Sequence, residues 1–242
     1  MKKLSAADYD SLLRDAVVVS ADAHGPKVLR KKTGEIIKLF RLKRPWSSAL
    51  VWPYALRFEQ NAALLQRLGF ASVEVLGAYR VEGVKRDLVL YRELAGRSLR
   101  EVLQEGQPAS AREALEQFAS LLARLHEQGV LFRSIHFGNV LIRPGAMPAL
   151  IDVADLTSRR FGGLRKTQRI RNFAHMLRYE QDCCALHAFG SARFVDLYLS
   201  HAPMRLSDRL ALREKLVAMI DDSVAAHHPE RMRHAQEDSR DA

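Results

Sequence analysis

The sequence predicts an α+β fold in two lobes: a small antiparallel β-sheet lobe with one helix, then a mainly α-helical lobe. Three observations carry this. Up to about Leu94 the chain consists largely of short apolar runs separated by turn residues. Beyond it, apolar residues recur at helical spacing. The 242 residues, 48% of them apolar, suffice for one large core or two small ones and are too apolar for a disordered chain. The expected division is a sheet lobe over 1–94, a helical lobe over 95–225, and a polar His/Arg/Asp-rich tail over 226–242 that is expected to be disordered.

Each element follows from local chemistry. Ala16–Ser20 is β-branched and short, Lys27–Lys31 alternates polar with apolar, and Glu35–Phe40 is a third run. Gly25–Pro26 and Lys32–Gly34 turn the chain between them, which makes an antiparallel meander. Phe58, Ala62, Leu65 and Leu68 mark a helix that Gly69 stops. Val73–Val81 and Leu88–Leu94 form two more strands around the hairpin loop EGVKRD. Ser98 with Glu101, and Ser110 with Glu113, have the spacing of capping boxes. Leu115, Phe118, Leu122 and Leu125 share a face of the second of these helices, which ends at Gly129. The pieces VLI and ALID flank the turn RPGAMP, and helical spacing returns at Ile170, Phe173 and Leu177 and over Ser207–Ile220.

Composition narrows the function. A formal net charge of +10 fits nucleic acid, an anionic membrane surface or a phosphorylated substrate, and also plain solubility. The two cysteines, Cys183 and Cys184, are adjacent and cannot make a disulfide framework, so a reducing compartment is expected. No apolar run approaches the roughly 18 residues of a membrane span, and MKKLSAADYD does not read as a signal peptide. A cytoplasmic location is expected.

The chemistry-bearing residues lie in register with these elements. Lys38 sits inside an apolar strand, where a lysine either snorkels to solvent or meets an anion. Glu59 follows near the start of the next helix, a position that the helix dipole also favours. A strand lysine followed by a helix glutamate is the ion pair that positions ATP phosphates in kinases. The segment FRSIHFGNVLI follows a helix and precedes ALIDVAD. Against the kinase pattern H-R-D-x-x-x-x-N, followed by a metal-binding Asp, Arg133 and Asn139 fall on Arg and Asn, and Asp152 falls on the metal-binding Asp. An amide oxygen and a carboxylate suit Mg2+, a hard cation.

On these residues the chain resembles the lipopolysaccharide core kinases of the Kdo/WaaP group, especially the toluene-tolerance subgroup, over about Val17 to Leu177. The resemblance implies a protein-kinase-like fold, ATP and Mg2+ as cofactors, and a sugar hydroxyl of the lipopolysaccharide core as acceptor. It implies that Lys38 contacts ATP phosphates, that Glu59 holds Lys38, and that Asn139 and Asp152 bind metal. The adenine would lie against the link Arg92–Gly96, which includes Glu93, and the phosphates would lie under the turn that carries Gly25.

The departures are chemical. Ser134 stands where the catalytic Asp belongs, and serine has no basicity near neutral pH. Phe132 takes the His position, and ADAHGP has one glycine where three are expected. Phosphoryl transfer through a loose transition state tolerates a missing base. Alternatively, His136 or Asp155 accepts the proton, with loop packing or phosphate contact as the other role for His136 and loop capping or metal support for Asp155. Arg159, Arg160, Arg165, Lys166, Arg169 and Arg171 crowd the segment that faces the acceptor in kinases, where guanidinium groups suit phosphates or sugar carboxylates. A solvated basic face is the plainer reading of the same residues. Phe161 is the one aromatic there, which argues against a nucleic-acid partner. The expected partners are a nucleotide and an anionic glycolipid, with peripheral contact at the inner membrane surface. Two rivals remain open: a pseudokinase scaffold, favoured by Ser134, and a small-molecule phosphotransferase, whose acceptor pocket would be acidic.

Overall fold

The computed structural model describes residues 1–41, 52–84 and 86–227. The chain divides into two compact units: Met1–Gly96 with Ala149–Leu156, and Arg97–Pro148 with Thr157 onward. The α+β class expected from the sequence is the class observed.

The first unit contains β1 (Lys2–Leu4), α1 (Ala6–Leu13), β2 (Ala16–Asp22), β3 (Gly25–Lys31), β4 (Glu35–Arg41), α2 (Tyr54–Arg67), β5 (Ala71–Ser72), β6 (Val75–Val81) and β7 (Arg86–Arg92). Its sheet runs β1-β6-β7-β4-β3-β2 and is antiparallel except for the β1–β6 pair. The expected meander is present. β2 and β3 run slightly further than the apolar residues indicate, because Asp22 pairs with Gly25 and closes a two-residue turn at Ala23–His24. Leu29, Ile37, Leu39, Val81 and Leu88 form one core cluster under this sheet. Phe58, Ala62 and Leu65 are the buried stripe of α2, and Gly69, at φ +78°, ends it as expected. Helix α1 was not apparent from the sequence. It buries no residue, and its start is fixed by Ser5, whose hydroxyl accepts the Asp8 amide at 3.1 Å.

The second unit opens with β8 (Arg97–Ser98) and α3 (Leu99–Gln104), where the Ser98–Glu101 capping box forms as expected. Helix α4 (Pro108–Glu127) does not start at Ser110. Pro108 occupies its first turn with Gln107 as N-cap, so Ser110 is already helical and Glu113 accepts from Gln117 instead. β9 (Val130–Phe132), a 3-10 turn (Phe137–Asn139) and β10 (Val140–Arg143) follow, then β11 (Ala146–Leu150). A second 3-10 turn (Val153–Asp155) belongs to the first unit, and β12 (Leu156–Ser158) comes next. Four helices complete the described chain: α5 (Lys166–Met176), α6 (Glu180–Phe189), α7 (Ser191–Ser200) and α8 (Leu206–His227). Phe118 packs edge-on to Phe137 at 5.3 Å, and Phe173 packs edge-on to Tyr198 at 5.1 Å. This plugs the turn before β10 into the helical core.

The expected tail begins inside α8, and residues 228–242 lie outside the described residues, as does Lys85 of the expected hairpin loop. Both cysteines are free, and burial pushes the Cys183 thiol up to about 11. Among the described residues, no helix is long and apolar enough to cross a membrane.

Candidate active site

In the first unit the central feature is Lys38. β4 lies between β3 and β7, with Lys38 opposite Val28 and Val89. Its side chain is mostly buried and reaches Asp152, Nζ to Oδ1 at 2.6 Å. A half-buried lysine in an apolar strand has therefore found an anion rather than solvent. Asp152 is the one non-glycine residue of positive φ among the described residues, at φ 56° and ψ 47°. Asp tolerates the left-handed region better than most side chains, yet such a conformation still costs on the order of 1 kcal/mol and persists only where neighbours enforce it.

The neighbours that enforce it are visible. Ala149 and Leu150 pair in parallel with Ala71 and Ser72, and the Ser72 hydroxyl donates to the Leu150 carbonyl at 3.0 Å. Beyond Asp152, the buried Asn61 amide donates to the carbonyls of Val153 (2.8 Å) and Leu156 (3.2 Å). One turn earlier, Arg57 lies 3.8 Å from Asp155 with its guanidinium over the Tyr54 ring at 4.4 Å. The expected Lys38–Glu59 pair is not formed, and Glu59 makes no ion pair among the described residues. The reason is helical phase. Arg57 and Asn61, four residues apart, share the face of α2 that meets residues 152–156, and Glu59 points elsewhere. Asn61 was missed in the sequence. Its signal was a polar residue within the apolar stripe, three residues after Phe58.

The remaining nucleotide candidates of this unit are engaged locally. The turn before Gly25 is tight, and Arg86 occupies the carbonyls of His24 (2.8 Å) and Pro26 (3.0 Å). Glu93 is ion-paired to Arg30. Tyr91 has its hydroxyl pKa raised by burial and then by the charge of Asp152.

In the second unit the loop 133–139 is held from several sides. The Asn139 Nδ2 donates to the Ser134 carbonyl at 2.9 Å, which leaves its Oδ1 without a donor among the described residues. His136 Nδ1 accepts the Gly138 amide at 3.2 Å, and its ring packs edge-on to Tyr179 at 4.9 Å. With Nδ1 so used, the neutral ring carries its proton on Nε2, and its one acceptor lone pair is already engaged. This arrangement suits packing within its own loop, one of the roles expected for His136. Asp182 on α6 is buried, accepts the Phe137 amide at 3.1 Å and holds Arg100 bidentately at 2.9 Å to each oxygen. Arg133 is exposed and makes no ion pair among the described residues.

Beneath this loop runs a buried polar chain. Asn172 takes both backbone groups of Phe132, accepting its N–H at 3.3 Å and donating to its carbonyl at 2.7 Å. His126 bonds Asn172 Oδ1 through Nε2 at 3.0 Å and the Tyr198 hydroxyl through Nδ1 at 2.8 Å. Burial pushes the His126 pKa down to about 3. Arg169 continues the chain to Tyr198 (2.9 Å), Glu127 (2.6 Å) and the Leu164 carbonyl (3.0 Å). Arg169 is therefore a correction to the set of acceptor-facing cations: it is 4% exposed and bound inside the fold. Arg159 is half committed, its guanidinium closing on the Gly163 carbonyl. Arg160, Arg165, Lys166 and Arg171 remain exposed.

A scan against protein-family models gives no match, and a search of curated proteins gives none. Among solved structures the chain is similar to WbdD in co-crystals with the kinase inhibitor LY294002, at 18% identity over 79% of this chain and 43% of that one, with a TM-score of 0.48. It is also similar to the bifunctional kinase-methyltransferase WbdD in a medium-resolution structure, at 16% identity over 79% and 42% of the two chains, with a TM-score of 0.47. The chain spans less than half the length of these proteins.

Proposed function

We propose that the protein is an ATP- and Mg2+-dependent phosphotransferase whose acceptor is a sugar hydroxyl of the lipopolysaccharide core or a related anionic glycolipid. The observation that carries the reading is the Lys38–Asp152 contact at 2.6 Å, with Asp152 held left-handed at a strand end by Asn61 and Ser72. A lysine and a carboxylate fixed within 2.6 Å of each other give one cation for phosphate oxygens and one hard donor for a divalent ion.

Each unit offers a hard oxygen of the kind that Mg2+ takes: Asp152 Oδ2 in the first, left over after Lys38 is served, and Asn139 Oδ1 in the second, left over after its amide serves the Ser134 carbonyl. When bound, Mg2+ would neutralise charge developing on the transferred phosphoryl group. Lys38 would orient the nucleotide phosphates. Exposed Arg160, Arg165 and Lys166 would bind acceptor phosphates or carboxylates. Ser134 supplies no base and His136 caps its own loop, so positioning and charge would account for the rate.

The test is transfer of label from γ-labelled ATP to extracted lipopolysaccharide. Asp152→Ala is expected to abolish transfer and leave the circular dichroism spectrum unchanged. Equal turnover in that variant removes the metal assignment. A second reading, a nucleotide-binding pseudokinase, is favoured by Ser134 and by the engaged Nδ1 of His136. It is adopted if ATP with Mg2+ raises the melting temperature while no acceptor becomes labelled.

A further inference from the structure

From Leu156 to Tyr179 the sequence contains no acidic residue, six arginines and one lysine. The structure internalises Arg169 and turns most of the others outward. Within this stretch lies a short loop with a rigid base. At one end the Arg159 amide donates to the Gly129 carbonyl at 2.9 Å; at the other the Leu164 amide donates to the His126 carbonyl at 2.7 Å, and the Leu164 side chain is buried. The Arg159 guanidinium bridges the two ends by bonding the Gly163 carbonyl. Gly163 lies so close to the end of α4 that an added Cβ would meet the carbonyls of His126 and Glu127 at 3.1 and 3.2 Å.

The clamp leaves Arg160, Phe161 and Gly162 at the tip. Phe161 is 76% exposed, the highest value for any large apolar side chain among the described residues, and the Arg160 guanidinium sits 5.5 Å from its ring centre. Next to the tip, Arg165 and Lys166 begin α5. Cations at a helix N-terminus oppose the macrodipole, so the fold gains nothing from them there. The nearby carboxylates do not neutralise the patch: Glu127 is bound to Arg169, and Asp208 lines the cavity of about 340 Å3 beside Lys166 without pairing to it.

We propose that Arg160, Phe161, Arg165 and Lys166 form a docking face for an anionic lipid bilayer. The cations meet headgroup phosphates, and the Phe161 ring enters the interface between headgroups and chains, the two-signal arrangement that peripheral membrane contact requires. A lone projecting aromatic suits an interface to be penetrated; stacking successive bases would take a row of them. The proposal rests on the phosphotransferase reading only for the notion that the acceptor lies in that bilayer; lipid contact itself needs no phosphoryl transfer.

The test is co-sedimentation of the full chain with vesicles of phosphatidylglycerol and phosphatidylcholine in equal parts, and with vesicles of phosphatidylcholine alone. Binding is expected to the first and not the second, and to weaken as salt rises. Phe161→Ser is expected to lower the partition coefficient about tenfold, from the lost burial of one aromatic ring. Arg165→Glu with Lys166→Glu is expected to remove binding, while Arg14→Glu with Lys32→Glu, which changes the net charge equally at exposed sites elsewhere, is expected to keep most of it. Equal loss in both charge-reversed proteins overturns the proposal, as does binding to the uncharged vesicles or an unchanged Phe161→Ser. Displacement from anionic vesicles by a single-stranded oligonucleotide at lower concentration than by free lipid overturns it in favour of nucleic acid. If the unaltered chain fails to bind anionic vesicles while label reaches soluble core oligosaccharide, docking alone is overturned; if it binds them and no acceptor is labelled, the phosphotransferase reading alone is.

Discussion

Asn61 shows how a single polar side chain can set a backbone 92 residues away. Its amide bridges the carbonyls of Val153, Ala154 and Leu156 on the far side of Asp152, and all three bonds are buried. Asn61→Leu keeps the volume and leaves those carbonyls unpaired, which is expected to cost about 1–3 kcal/mol. Under the proposed function it should also raise the KM for Mg–ATP more than it lowers kcat, because the loop carrying Asp152 loosens without loss of any reacting group. Urea denaturation and steady-state kinetics read the two effects, and an unchanged KM would separate Asn61 from the site. Lys38 and Asp152, which the structure brings within 2.6 Å, stand out in the sequence as a lysine in an apolar run and a carboxylate at a strand end. The choice between Glu59 and Asn61 was not legible there. It turns on the rotation of α2 about its axis, which packing against residues 152–156 decides. Arg169 was obscured for the same reason: nothing local separates it from the other cations of its run, and its partners Glu127 and Tyr198 lie far away in sequence.

At the level of elements, α6 acts as a brace for the turn before β10. Asp182 accepts the Phe137 amide while its oxygens hold Arg100 from α3, so one carboxylate ties two elements to that turn. Removing it strands a partly buried guanidinium and an amide together. Asp182→Ala is expected to cost about 3 kcal/mol and to speed hydrogen exchange at the Phe137 amide. Unaltered exchange there would show that the Phe118–Phe137 packing alone holds the turn. Periodicity gave β2, β3, β4 and the long helix α4, since each carries its own apolar signal. It did not give α1, which buries nothing, nor the separation of α6 from α7, which rests on Gly190 at φ +103°. It also misplaced the start of α4, because Ser110 and Glu113 have capping spacing but Pro108 begins the helix first.

For the molecule as a whole, His126 predicts how stability responds to acid. Burial depresses its pKa to about 3, with Arg169 adding to the depression, whereas in the unfolded chain it should titrate near its ordinary value of about 6.5. Above that value neither state holds the proton and the group contributes no pH dependence. Below it the unfolded chain binds a proton that the folded chain refuses, so stability falls as pH falls, by about 1.4 kcal/mol per unit until the folded value is reached. Denaturation curves at pH 6.5 and 5.5 should differ by about 1 kcal/mol, because the unfolded imidazole is already half protonated at the upper value, and His126→Gln should flatten the difference whatever its own stability. The same loss in both proteins would assign the effect to another group.

The first unit is discontinuous, and this bears on synthesis. Residues 97–148, fifty-two of them, separate Gly96 from the returning segment Ala149–Leu156. At ribosomal speeds that interval lasts about 3–10 s. During it the six-stranded sheet has emerged complete, yet Lys38 still lacks its carboxylate, Ser72 its carbonyl and Asn61 all three of its acceptors. The nascent sheet therefore waits with its cationic centre unneutralised. Closure of the proposed nucleotide site is timed by the arrival of one eight-residue segment, not by the folding of the strands around it.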